Sequence, residues 1–413
     1  MKTGDKMKKE VTTDVTETNE NNLLVHDNLT DEEIHHLYSS MNKDAFKANV
    51  RKLEELHDAL AKKDGDRIDS HKTKLKSDKA LDRKTLTVGY FGSQGRFYVP
   101  FLTDYFENVL KKPITFWAEA PAGSNSISYG MYKYGIDTIA TCDKNYWSNS
   151  VSKSVIENKV KLTEDELEEL FDVVMKSTKK GYILSSDLNF KFNDDVSLFI
   201  DNLVLEVNKR GHSKYKIVIA LLGKFLMTNA TFRSMGWDKG RMVNPDFVSI
   251  KRIVAYIRKH NKIFGEHIIE DSEQKVISFW GDFFDFLEVL DPPKEGSIMY
   301  SDFAWPWHGG GVTDTYTWYI SEFAPILKGE AISPPVMWSK DNIKVELLKF
   351  TKKAVDKFEY FFLSTQSSNY PSIEVLKDWV SEVAIIEDYY FIDTRSMMAN
   401  KGFREELLVL KKK

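Results

Sequence analysis

From residue 85 onward the chain alternates short β-prone apolar runs with stretches of helical periodicity, and that alternation restricts the fold class before any motif is considered. TLTVGYF at 85–91 is apolar and β-prone, and Phe97–Leu110 reads as a helix. Ile114–Ala118 reads as a strand, a small-residue turn follows, and Ser126–Tyr134 reads as a helix. Ile136–Thr141 is a further strand and Ser148–Asn158 a further helix. Later strands fall at Val276–Phe279, Ile298–Tyr300, Tyr360–Ser364 and Glu406–Leu410. Strands separated by helices predict an α/β fold with a largely parallel sheet, because parallel neighbours need a crossover that a helix supplies.

Other parts of the chain depart from this rhythm. Residues 1–29 are rich in Lys, Thr, Glu and Asn and poor in aromatics. Such a stretch buries too little surface to offset its ordering entropy and is expected to be a flexible tail. Thr30-Asp31-Glu32-Glu33 resembles a capped helix start, and Ile34, Leu37, Met41, Phe46, Val50, Leu53, Leu56 and Leu60 continue with helical spacing. Residues 30–84 are therefore expected to form a helical extension and a polar linker, either a surface for a partner protein or self-association, or a packing element of the main domain. Residues 161–265 are mainly helical and divide the α/β part into segments 85–160 and 266–413.

Cys142 is the only cysteine, which excludes an internal disulfide and a cysteine-rich zinc site and fits a reducing cytoplasm. The polar N-terminus does not resemble a secretory signal, and no apolar run reaches membrane-spanning length. A cytoplasmic protein with no membrane partner and no bound metal is expected. The net charge of −4 supplies no global attraction for a polyanion, so any nucleic-acid surface must come from local clustering.

The first candidate site is the turn after the strand at 114–118. Ala122-Gly123-Ser124 would let the backbone approach a ligand closely, and the helix starting at Ser126 would point free N–H groups at it. The next strand leads to Asp143, 24 residues beyond Glu119. Doubly wound folds hold ribose hydroxyls with an acidic residue at about that separation.

This segment resembles the cofactor region of S-adenosylmethionine-dependent DNA adenine methyltransferases of the Dam-like type. Glu119, Pro121, Gly123 and Asn125 stand at the motif positions, followed by Ile127-Ser128, with Asp143 as the acidic residue and Lys144 after it. Pro121 replaces an aromatic and Asn125 replaces a second Gly; Asn tolerates positive φ better than most residues. Gly92-Ser93-Gln94 resembles the family's Gly-Ser-Lys segment beside the cofactor, with Gln94 in place of Lys and Arg96 as a substitute charge. Asp282 matches an Asp that contacts the cofactor's adenine amino group, with Phe283 as a packing surface for the ring. The resemblance covers 86–158 and about 274–410, through motif order and spacing. It implies a Rossmann-like class I methyltransferase sheet with a helical target-recognition insertion, and S-adenosylmethionine as cofactor.

The same resemblance implies a catalytic motif of the Asp-Pro-Pro-Tyr kind. Two segments compete. Asp291-Pro292-Pro293-Lys294 has the literal letters but lacks a terminal aromatic and follows a helical pattern, which its prolines would terminate. Asp302-Phe303-Ala304-Trp305 follows the apolar run 297–300 and has an acceptor first and an aromatic fourth, so it is the expected site. There Asp302 and the Phe303 carbonyl would orient an amino group, and Trp305 would stack on a flipped base. His308-Gly309-Gly310-Gly311, Asp314, Tyr316 and Tyr319 would form the loop and helix that follow. The alternative is that Phe303, Trp305, Trp307 and Trp318 pack a core.

Within 207–262 thirteen basic side chains face only Asp238 and Asp246, a footprint suited to phosphates. Arg233, Lys239, Arg241, Lys251 and Arg252 are the candidate DNA contacts, the alternative being a solvated basic face. The expected activity is methyl transfer to adenine N6 in double-stranded DNA by base flipping. Amino methylation of cytosine or RNA, and a nucleic-acid-binding protein without methyl transfer, remain as alternatives.

Overall fold

The computed structural model describes residues 95–186, 188, 191–229, 247–306, 323–333, 338–367, 369–395 and 402–413, all within the compact unit Thr73–Lys413. The expected tail, extension and linker (1–84), the run at 85–91, Gly92, Ser93 and Gln94, and the loop at 308–319 lie outside the described residues.

Seven strands form one sheet: β1 (Phe116–Glu119), β2 (Thr138–Asp143), β3 (Lys275–Trp280), β4 (Ser297–Asp302), β5 (Tyr360–Gln366), β6 (Ala384–Arg395) and β7 (Gly402–Lys412). Their order is β3-β2-β1-β4-β5-β7-β6. The first five are parallel to one another, and β7 lies antiparallel between β5 and β6. This is the α/β, Rossmann-like arrangement of class I methyltransferases. Six strands fall where the sequence places them. The seventh, β6, carries Glu387, Asp388 and Asp393 among its apolar residues and pairs only with β7, so it lacks the continuous apolar run of a central strand.

Alternate side chains of the strands enter opposite faces. Trp117, Ile139, Tyr300, Phe362 and Leu407 join one core; Phe116, Ala140, Met299, Phe361 and Leu408 join the other. On the first face lie helices α1 (Gly95–Asp104, continued by a π-helical turn to Leu110) and α2 (Ser126–Tyr134). Trp117 stacks on Tyr300 there, with centroids 5.7 Å apart.

After β2 come α3 (Tyr146–Val151, continued by a π-helical turn to Glu157) and then the insertion: α4 (Glu164–Lys176), the single turn α5 (Tyr182–Ser185), α6 (Asp194–Arg210), α7 (Lys216–Asn229) and α8 (Ile250–Gly265). The insertion is helical, as expected, and shares the sheet's core. α7 is apolar nearly all round; Trp147 of α3 lies against Gly223 and donates from Nε1 to the Ala220 carbonyl at 2.9 Å. On the other face, α9 (Phe283–Val289) and α11 (Ile343–Lys357), separated by the short α10 (Ala324–Lys328), cover the sheet with α12 (Ile373–Val380).

Candidate functional site

β1 pairs with β2 on one side and with β4 on the other, so the chain reverses its direction across the sheet between β1 and β4. In open α/β sheets ligands bind outside the carboxyl ends of the strands at such a switch point. Glu119, Asp143 and Asp302 are the last residues of β1, β2 and β4, so three carboxylates stand at this edge.

The turn after β1 is built by backbone contacts. Ala120–Pro121 is a cis peptide. Ala122 N–H donates to the Cys142 carbonyl at 2.8 Å, and Gly123, at φ +50°, donates from N–H to Asp143 Oδ2 at 2.8 Å. Asn125 takes the left-handed conformation (φ +57°) and caps α2. Its Nδ2 donates to the Ser148 carbonyl at 2.8 Å, which ties the β1 turn to α3. Its Oδ1 is buried without a hydrogen-bond partner. Ser124 lies beside Ser126 (2.9 Å between hydroxyls), and the Ser126 hydroxyl accepts from Gly95 N–H at 3.2 Å.

Burial governs the charges here. Glu119 Oε2 accepts from Ser128 N–H at 2.9 Å and from the Ser128 hydroxyl. Burial nevertheless pushes its pKa up to about 8 against those donors, and Asp143 and Asp302 raise it further. Asp143 is pushed by burial to about 6, opposed chiefly by the N–H groups of Asn145 and Gly123 and then by the Ser148 hydroxyl. Those two N–H groups hold one Asp143 oxygen each, at 2.7 and 2.8 Å, which fixes the plane of the carboxylate.

At the end of β3, Asp282 caps α9 by accepting from Phe284 N–H at 2.9 Å, and its other oxygen lies 3.5 Å from Lys144 Nζ. Trp280 Nε1 donates to the Lys144 carbonyl at 3.0 Å, so the ends of β2 and β3 are fastened together. The Phe283 ring packs with Phe303, Trp338 and Phe350.

The segment after β4 is largely interior. Phe303 and Trp305 are 6% and 3% exposed, with Ala304 half-buried between them. Trp305 donates from Nε1 to the Ser364 carbonyl at 3.0 Å, and its backbone N–H donates to the Phe303 carbonyl at 2.9 Å. Asp302 is half-buried, and it raises the pKa of the neighbouring Tyr98 and Tyr300 hydroxyls, on which burial acts most strongly. The Tyr98 and Ser364 hydroxyls lie 2.9 Å apart. This hydroxyl pair escapes sequence reasoning because it joins residues far apart in the chain. Asp291-Pro292-Pro293-Lys294 lies in the loop between α9 and β4, before the amino end of β4 and not at a strand's carboxyl end.

Arg233, Lys239 and Arg241 lie outside the described residues. Lys251 and Arg252 are exposed in the first turn of α8. Much of the remaining basic charge is compensated by residues outside the 207–262 window. α4 pairs through Glu164 with Lys262, Glu166 with Lys214, Glu168 with Arg258 and Glu169 with Arg210, while Glu206 pairs with Lys209. Lys216 is drawn inward to Tyr146 and Asn208, at 2.7 and 2.8 Å. No helix among the described residues is long and apolar enough to cross a membrane.

No family model matches the chain, and no curated protein matches it. Among solved structures, a chain from Listeria monocytogenes named as a candidate class I S-adenosylmethionine-dependent methyltransferase aligns at TM-score 0.24 and 10% identity. The alignment covers 60% of this chain and 88% of that one, and a likeness of that size transfers neither residue roles nor activity.

Proposed function

We propose that the protein is a methyltransferase using S-adenosylmethionine, with adenine N6 in DNA as the methyl acceptor. The observation that carries this reading is the convergence of Glu119, Asp143 and Asp302 at the switch-point edge, beside the turn that leads into α2. The donor set fits the cofactor chemically. Carboxyl groups at the strand ends suit ribose hydroxyls and, as they ionise, a ligand carrying positive charge, and the Gly123 turn permits close backbone approach. When bound, the cofactor would supply an electrophilic methyl group.

The chain's own part is to bind and orient. Asp302, half-buried at the carboxyl end of β4, would accept a hydrogen bond from the amino group and favour its more nucleophilic geometry. Trp305 would hold this segment by its bond to Ser364, because its ring lies in the core. Methylation of mixed-sequence DNA with labelled cofactor, followed by nucleoside analysis, tests the proposal. Labelled N6-methyladenine that disappears in Asp302→Ala supports it; no labelled base from the wild type sinks it.

A second reading, a nucleic-acid-binding protein without methyl transfer, is favoured by one observation: two expected site residues are already engaged, Lys144 by Asp282 and Trp305 by Ser364. Calorimetry with S-adenosylmethionine, with and without DNA, separates the two.

A further inference from the structure

We infer that the insertion contacts duplex DNA through α8, at Lys251 and Lys259 flanked by Phe247, while four of its other cations are tied up in ion pairs with α4. The inference rests on the reading above that DNA is the substrate.

Ion pairs set four of the insertion's basic residues apart. Arg210, Lys214, Arg258 and Lys262 each meet a different glutamate of α4. That helix is held in place by Leu167, Leu170, Phe171 and Val174, all buried on its inner side. Its acidic side chains therefore offset these four cations, which present little net charge to a polyanion.

Lys251 and Lys259 have no ion pair among the described residues, and both are exposed. They are eight residues apart on one helix, about 12 Å along its axis and about 80° around it, so they share one broad side of the helix. Between them stands Ala255, which is exposed and small. At the start of the same helix Phe247 is 51% exposed, and the Arg252 guanidinium lies 5.8 Å from its ring centroid. An exposed aromatic ring beside cations is suited to a base as well as to phosphate, which favours nucleic acid over an acidic protein.

The test is titration of the full-length protein with a labelled duplex at several salt concentrations, read by fluorescence anisotropy. Lys251→Ala combined with Lys259→Ala is expected to reduce the slope of log affinity against log salt by about two. Phe247→Ala is expected to weaken binding roughly 10-fold with the slope unchanged. Arg258→Ala and Lys262→Ala are expected to leave both quantities unchanged. Circular dichroism checks that each variant is folded.

An unchanged slope in the double variant, an equal loss in the two ion-paired variants, or polyglutamate binding as tightly as the duplex would overturn the inference. The methylation assay fails independently. DNA bound through this face without methyl transfer removes the enzyme reading only, and methylation insensitive to Lys251 and Lys259 removes this surface only.

Discussion

Replacing Glu119 by Gln should stabilise the protein increasingly as pH rises from about 4.5 to 8. Glu119 is 4% exposed and its carboxyl is raised from 4.5 to about 8, primarily by burial. The folded state therefore holds this proton more tightly than the unfolded state does. Between those two pH values the native protein binds more protons, so this group's contribution to stability is greatest below 4.5 and is lost as pH rises through 8. The shift from 4.5 to about 8, at ~1.4 kcal/mol per unit, sets an upper bound of about 5 kcal/mol. Relaxation and water entry reduce such values, so a difference of roughly 2–5 kcal/mol is expected at high pH. Gln keeps an oxygen to accept from Ser128 N–H and its hydroxyl, and it cannot ionise. Coupling to Asp143 broadens the transition, because the two carboxyls do not titrate independently. Urea unfolding of both proteins at pH 5, 6, 7 and 8 measures the difference. A Glu119→Gln variant whose stability differs from wild type by a constant amount across that range would refute the reasoning.

Gly223→Ala should destabilise the protein by about 1–3 kcal/mol, since the added methyl meets the Trp147 ring and Leu327; a thermal melt checks this. Trp305→Phe should cost about 1–3 kcal/mol by leaving the buried Ser364 carbonyl without its indole donor, an effect read in urea unfolding of the protein alone. Thr163→Ala should remove the capping box with Glu166 at the start of α4 and cost about 1 kcal/mol, seen as a lower melting temperature. S-adenosylmethionine should bind more tightly as pH rises from 6 to 8.5, because ionised Glu119 and Asp143 attract its positive charge; isothermal titration in that range would show a flat profile if these groups do not face the ligand.

The charge distribution of the insertion shows how a local count can mislead. A window over 207–262 contains thirteen basic residues and two acidic ones. Extending it to α4 adds Glu164, Glu166, Glu168 and Glu169, which meet four of those cations in space. Opposite charges cancel over the distance between side chains, and the chain brings α4 and α8 together from positions 98 residues apart at Glu164 and Lys262. The proposed recognition surface consequently becomes smaller than the sequence count suggests, and its centre moves to the exposed Lys251 and Lys259 of α8.

Local features were legible because their causes are local. The helix at Ser126–Tyr134 appears at its predicted bounds, and Asn125 adopts the positive φ expected of a residue replacing Gly in that turn. Apolar runs placed β1 to β5 and β7 to within a few residues, since period and β-propensity are properties of neighbouring residues. What only the tertiary structure decided involves distant partners. The sheet order puts Glu119 and Asp302 at neighbouring strand ends, although 183 positions separate them in the chain. Burial among those strands raises the Glu119 carboxyl, and the Ser364 carbonyl holds the Trp305 indole in the core. Sequence pattern identifies the acids and aromatics; the dielectric around them, and the partners that occupy their hydrogen bonds, come from packing.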